Sequence, residues 1–262
     1  MNQKNLDYLK DQLKYSGFGE ELQSKLAENL QKAQNEFSIK HVSSYGKDEL
    51  SVSLNFKKSA NSDMYFFNNY RAELQKPGAE AKVSQTFYIN NEGRNITQKE
   101  AYNLLDGRSV NKDLVNKEGQ FHNAWLKLDF KETAANSNYK TRQFSPQYGF
   151  ELEKAVAKLP IKELADDTAK VRLFESLERG NRQAVTFTTD QGEQKRFIEA
   201  NPQFKSVTVY DENQKRIRQA EDQGKSQGNK ESLKEDTSQK KENTVADDTG
   251  GEKTGKRKGV KM

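Results

Sequence analysis

The chain has 262 residues, 32% of them hydrophobic and 32% charged, with 44 Lys and Arg against 39 Asp and Glu, a formal net charge of +5 and no cysteine. Without cysteine there are no disulfides, thiolate metal sites or cysteine nucleophiles. No stretch approaches the roughly 20 apolar residues of a membrane-spanning helix, and residues 1–14 lack the apolar run of a signal peptide. The expectation is a cytoplasmic protein with no membrane partner.

Leu6, Leu9 and Leu13, then Leu22, Leu26 and Leu30, recur at helical spacing, and each set makes one apolar stripe. Ser16-Gly17-Phe18-Gly19 interrupts the pattern between them. This reads as a helical hairpin with Tyr15 and Phe18 packed at its corner. The period then changes to two. Leu50, Val52, Leu54 and Phe56 alternate with Ser51, Ser53 and Asn55, as in a half-buried antiparallel strand. Residues 37–42, the aromatic-rich 64–74 and 83–89 supply further strands, and Pro77-Gly78 suits a type II turn.

Thr97-Gln98-Lys99-Glu100 is a capping box that opens a helix continued by Ala101, Leu104 and Leu105 and ended by Gly107. Val110 and Leu114 follow, then a turn at Glu118-Gly119 and a strand over 121–130 with Trp125 and Leu128. The polar stretch 131–145 reads as a loop or a subdomain linker. One helix is expected over 147–159, stopped by Pro160, and another over 167–178, followed by Gly180. Strands over 184–188, 194–200 and 205–210 come next, the first two joined at Asp190-Gln191-Gly192. From Gln219 onward the only large apolar residues are Leu233, Val245, Val260 and Met262. Such a segment cannot offset an ordering cost of about 1–2 kcal/mol per residue, so it reads as a disordered tail.

Shifted by 73 positions, Leu104 falls on Leu177, Gly107 on Gly180, Leu114 on Phe187, Gly119 on Gly192 and Trp125 on Ile198. This is either a repeat of a small helix–hairpin (αββ) unit or the likeness of any two such units, since glycine belongs at both turns for conformational reasons. The fold class is therefore α+β. It comprises an N-terminal helical hairpin over 1–35, an antiparallel sheet with a first αββ unit over 36–134, a second αββ unit over 135–218, and a disordered C-terminal tail over 219–262.

Three stretches carry a family resemblance. They are residues 5–19 (Asn5-Leu6-Asp7-Tyr8 onward to Gly19), Tyr65-Phe66-Phe67-Asn68-Asn69-Tyr70 with Gln85-Thr86-Phe87-Tyr88-Ile89-Asn90, and Glu178-Arg179-Gly180-Asn181-Arg182 running to Lys205. The chain resembles an uncharacterised protein family carried by conjugative transposons of Bacteroidetes, related to domains beside or fused to type IA topoisomerases. The resemblance covers most of 1–218 and attaches no catalytic motif. It implies a mobile-element setting, with a topoisomerase or another mobile-element protein as a possible partner.

Chemical motifs are few. His41 and His122 have no second histidine at metal-ligand spacing, and no Gly-x-Ser-x-Gly elbow, Walker A or Gly-x-Gly-x-x-Gly loop is present. Tyr8 and Tyr102 fall on expected helices, where core-edge packing explains them better than a nucleophilic role. No catalytic residue, cofactor or metal site is expected. Arg179, Asn181, Arg182, Lys195, Arg196 and Lys205 cluster in sequence around the second Gly-turned hairpin, near Phe187, Phe197 and Phe204. Cations beside stacking aromatics are what a nucleic-acid surface needs. The bland alternative is cations that only solubilise a hairpin whose Phe residues face the core. The sequence thus reads as a non-enzymatic accessory protein of a mobile element, a nucleic-acid-associated binding module with DNA as its partner. One alternative is an adaptor that recruits a topoisomerase or transfer component through an exposed patch of Tyr65, Phe67 and Tyr70. Another is a hydrolase with an unrecognised site.

Overall fold

Each leucine stripe forms a helix, α1 (Gln3–Tyr15) and α2 (Gln23–Gln31), in the computed structural model, which describes residues 2–90, 94–116 and 118–217. These residues belong to one compact unit, Met1–Gln219. The tail expected over 219–262 lies outside the described residues. Phe18 is buried at the corner as expected, but Tyr15 is 78% exposed. Tyr15 lies two positions past Leu13, which turns it to the opposite side of the helix.

The first sheet is antiparallel, with strands β1 (Glu36–Tyr45), β2 (Asp48–Lys58), β3 (Tyr65–Gln75) and β4 (Val83–Tyr88) in sequential order. Its inner face carries Phe37, Ile39, Leu54, Phe56, Leu74 and their neighbours into a core shared with the leucines of α1 and α2. Tyr65, Phe67 and Tyr70 are buried in that core, so the exposed aromatic patch expected of them does not form. Simple alternation would send Tyr70 to the other face. The β2–β3 register shifts where Asn55 pairs with Asn69 and Phe56 with Phe67, leaving Asn68 as an extra residue. That bulge moves the phase by one, and Tyr70 turns inward beside Phe67. Its ring meets Phe18 edge-on at 5.1 Å.

The capping box opens α3 (Gln98–Leu105), with Thr97 Oγ1 accepting from the Glu100 amide and the Glu100 carboxylate accepting from the Thr97 amide at 2.8 Å. A second antiparallel sheet follows, β5 (Val110–Val115), β6 (Phe121–Thr133) and β7 (Tyr139–Phe144), in sequential order. The stretch 131–145 is therefore mostly strand. Polar pairing holds β7, with Arg142 bonded to Asp129 at 2.6 Å and Lys140 to Glu132 at 2.8 Å, so there is no apolar alternation to read.

The helix expected over 147–159 is shorter and interrupted. A 3-10 turn spans Pro146–Tyr148, Gly149 takes φ +83, and α4 covers only Leu152–Val156. After a second 3-10 turn at Lys162–Ala165 comes α5 (Asp167–Glu178), capped by Asp166 accepting from the Ala169 amide at 2.6 Å. The third sheet has the order β11-β10-β9-β8, from β8 (Gln183–Thr189), β9 (Gly192–Asn201), β10 (Ser206–Tyr210) and β11 (Arg216–Ile217). Its core joins Val185, Ile198, Val207 and Val209 to Leu173 and Leu177 of α5 and Val156 of α4. Strand β6 serves both cores, giving Leu126 and Leu128 to the first and Trp125 to the second.

Side-chain amides and carboxylates close two sheet edges. Asn138 accepts from the Thr86 amide at 2.9 Å and donates to its carbonyl at 3.1 Å. Gln85 does the same to Tyr139, at 2.8 and 3.2 Å. The β4 edge is thus bonded to the start of β7. On β8, the Thr186 amide donates to the Glu163 carboxylate and the Thr188 amide to the Pro160 carbonyl. Among the described residues, β1 is hydrogen-bonded only on its β2 side.

Helices α3 and α5 end alike and meet. Gly107 and Arg108 donate to the carbonyls of Leu104 and Asn103, and Gly180 and Asn181 donate to those of Leu177 and Ser176, a Schellman closure in each case. Asn103 is fully buried between them, donating to the Arg179 carbonyl at 2.6 Å and to Asn181 Oδ1 at 3.0 Å. No helix among the described residues is long and apolar enough to cross a membrane.

Candidate nucleic-acid interface

The six residues expected to bind nucleic acid are not brought together on one surface. Lys195 and Arg196 are consecutive on β9, so period-two geometry sends them to opposite faces. Arg196 lies on the Ile198 side and bonds Gln194. Lys195 shares the other face with Phe197, its ammonium 5.4 Å from the ring centroid. Asn181 is turned into the α3–α5 seam, donating to Ser176 Oγ at 3.1 Å. Lys205 adopts φ 50 after the 3-10 turn at Pro202–Phe204 and sits 4.9 Å from the Tyr148 ring centroid. Arg179 is exposed at the end of α5 and faces Glu175 at 3.8 Å. Phe204 is exposed, whereas Phe187 and Phe197 are half-buried.

Arg182 has an internal role. Its guanidinium donates from two nitrogens to Glu199 Oε2, each at 3.2 Å, and lies 4.0 Å from the Tyr210 ring centroid. The Tyr210 hydroxyl donates to Glu199 Oε1 at 2.5 Å. Burial, reinforced by Glu199, pushes the Tyr210 phenol up to about 12. A raised folded-state value means that this group's stabilisation is complete below the unfolded tyrosine value of about 10 and is lost as pH rises through the folded value. Difference absorbance at alkaline pH is expected to show Tyr210 ionising well after the ordinary tyrosines. Tyr210→Phe is expected to remove one late step and to leave those of Tyr102, which burial also pushes up to about 12, and of buried Tyr70. Loss of no late-titrating signal in the variant would refute the assignment.

Three of the four residues considered for chemistry are structurally committed. His41 bonds Ser43 Oγ at 2.8 Å and lies 3.3 Å from Glu21, while His122 is exposed. Tyr102 donates to Asp48 at 3.0 Å, and its ring stacks on Tyr45 with centroids 4.2 Å apart. Tyr8 accepts from Gln12 at 3.0 Å. Among the described residues, no group of three His, Asp or Glu side chains is placed to hold a metal ion.

The outer face of the β1–β4 sheet has a different character. Its inner face is covered by the leucine core, but no residue of the outer face is buried. Strand pairing aligns Ser38, Asn55, Asn69 and Tyr88 in one row and Lys40, Ser53, Arg71 and Thr86 in the next. The first row is bonded laterally, Ser38 Oγ to Asn55 Oδ1 at 2.6 Å and Asn55 Nδ2 to Asn69 Oδ1 at 2.8 Å. The bulge adds Asn68, which with Glu36 and Lys57 helps line a shallow cleft of about 310 Å³ beside this row. A second cleft of about 360 Å³ takes Lys40, Arg71 and Lys82. Tyr88 is 65% exposed and Phe66 40% exposed. The face therefore offers π surfaces, amides and cations on a rigid backing. Its signals in the sequence are the polar positions Ser51, Ser53 and Asn55 alternating with the core residues of β2, and the aromatics Phe66 and Tyr88.

Comparison of the chain with protein-family models, with curated proteins and with solved structures finds no match.

Proposed function

We propose that the protein is a non-enzymatic accessory module of a mobile element that binds single-stranded nucleic acid across the outer face of the β1–β4 sheet. The observation that carries this reading is an uncovered four-stranded face combining Tyr88, Phe66, the Ser38–Asn55–Asn69 row and the cations Lys40 and Arg71. A single strand exposes base faces for stacking and base edges for amide hydrogen bonds, whereas a duplex presents mainly phosphates to a flat sheet. Its acidic residues Glu36, Glu49 and Glu73 keep the face from being a general polyanion trap, which favours stacking over charge as the main source of affinity. The adaptor alternative loses its surface, because Tyr65, Phe67 and Tyr70 are buried.

We also read α3-β5-β6 and α5-β8-β9 as two copies of one αββ unit. Both helices end, and both following strands begin, 73 residues apart, at Leu105 and Glu178 and at Val110 and Gln183. On this reading the copies form a scaffold joined at its glycine turns, and the first sheet carries the ligand.

Fluorescence anisotropy with labelled single- and double-stranded DNA at two salt concentrations tests the proposal. The full chain is expected to prefer the single strand. Tyr88→Ala is expected to cost about 1–3 kcal/mol of binding, the range for one stacked base, while Lys195→Ala leaves affinity unchanged. Preference for duplex, or equal losses in the two variants, would sink the sheet-face reading.

A further inference from the structure

The cleft of about 360 Å³ on the outer face of the β1–β4 sheet gathers unbalanced charge. It is lined by Lys40 of β1, Ser51 and Ser53 of β2, Arg71 and Glu73 of β3, and Lys82 just ahead of β4. Arg71 is held within the sheet, its Nε donating to Glu73 at 3.1 Å and its Nη2 to Ser84 Oγ at 2.7 Å. Arg71 and Glu73 thus cancel each other, and the surplus is the charge of Lys40 and Lys82. Both lysines are exposed, and among the described residues neither has a hydrogen-bonded or ion-paired acceptor. In register, Ser53 separates Lys40 from Arg71, so two strand spacings of about 4.8 Å lie between them. Among the described residues the Ser53 hydroxyl has no partner either, which leaves a donor between the cations.

We propose that this cleft is the phosphate subsite of the sheet face, where Lys40 and Lys82 each neutralise one internal phosphodiester of a single strand. The subsite presupposes the single-strand reading above and gives the bound strand a path. The Lys40–Ser53–Arg71–Thr86 row lies two residues, about 7 Å, from the Ser38–Asn55–Asn69–Tyr88 row. A nucleotide sets its phosphate against the first row and its base on the Tyr88 side. The backbone therefore crosses the four strands instead of following one of them. An internal phosphodiester carries a single charge, which a lysine meets as a point charge on a flexible stem. A carboxylate or a terminal phosphate is better served by a free arginine fork, and two nitrogens of Arg71 are already committed.

The test is fluorescence anisotropy of the full chain with labelled oligothymidylate over a series of salt concentrations. Each phosphate neutralised on a single strand contributes about −0.7 to the slope of log affinity against log salt. Lys40→Ala and Lys82→Ala are each expected to make that slope shallower by about 0.7. Tyr88→Ala is expected to lower affinity at unchanged slope, and Lys195→Ala, on the third sheet, to alter neither. An abasic strand separates the two rows: the lysine variants are expected to weaken its binding, while Tyr88→Ala leaves it unchanged. The opposite pattern would overturn the path. A 5′-phosphate on the oligomer is expected to add nothing. Tighter binding of the phosphorylated oligomer that either lysine variant abolishes would put a terminal phosphate in the cleft and overturn the internal one. Unchanged slopes in both lysine variants, with Tyr88→Ala still weakening binding, would overturn the phosphate subsite and leave the sheet-face reading standing. No binding by the parent at low salt would remove both.

Discussion

Replacing Gly180 by alanine is expected to lower stability by about 3–5 kcal/mol, far more than the same change at Gly192. Both glycines have positive φ, +78 and +100, so each substitution carries the left-handed strain of about 1–2 kcal/mol. They differ in their surroundings. A Cβ at Gly192 meets nothing within 4 Å, but at Gly180 it would lie 2.6 Å from the Ser109 carbonyl oxygen and 2.9 Å from Val110 Cγ2. The first of these is backbone at the entrance to β5 and has no rotamer through which to yield. The chain must separate α5 from β5 or distort the helix end. Urea denaturation of the two variants beside the parent decides the matter. Equal losses at Gly180 and Gly192 would mean that the seam is looser than its geometry implies.

Asn103→Asp is expected to be nearly as damaging and, unlike the glycine variant, to depend on pH. The Asn103 amide donates two hydrogen bonds, to the Arg179 carbonyl and to Asn181 Oδ1, in a position with no solvent exposure. A carboxylate there has no donor to offer and faces two acceptors, and an uncompensated buried charge costs about 3–5 kcal/mol. Its folded-state pKa must therefore rise above the unfolded value of about 4. The variant's stability relative to the parent is greatest below that unfolded value, where the protonated acid can donate one bond. It is lost as pH rises through the folded value. Stability differences measured from pH 4 to 8 are expected to widen with pH. A constant difference would show that the carboxylate reaches solvent. Because Gly180 and Asn103 meet at the same turn, their effects should not add, and a double-mutant cycle gives the coupling.

What the sequence revealed followed period and capping. The leucine stripes, the four strands up to Tyr88, the Thr97 capping box and the α5 helix all bury one apolar face, and such faces leave a readable pattern. What stayed hidden was held by polar atoms. Strand β7 depends on Arg142 with Asp129 and on Asn138 with the Thr86 backbone, and none of these alternates hydrophobic with polar. The bulge at Asn68 shifts Tyr70 inward, and a one-residue insertion carries no compositional mark. Gly149 at positive φ breaks a helix that the apolar spacing of residues 147–159 favoured. The candidate site shows the same division. Cations adjacent in sequence around residues 179–205 suggest a cluster, yet β9 sends Lys195 and Arg196 to opposite faces. Residues from four different strands, far apart in sequence, build the sheet face instead.

The edges of the first sheet also set how copies of the chain can associate. On the β4 edge the Thr86 amide and carbonyl are taken by Asn138, while among the described residues no backbone group of β1 is bonded on its outer side. A strand edge that is open on one side and closed on the other accepts one neighbour and offers no place for the next. Pairing of two copies through this sheet would thus be two-fold, β1 against β1, and the Asn138 bonds to Thr86 disfavour its extension into a filament.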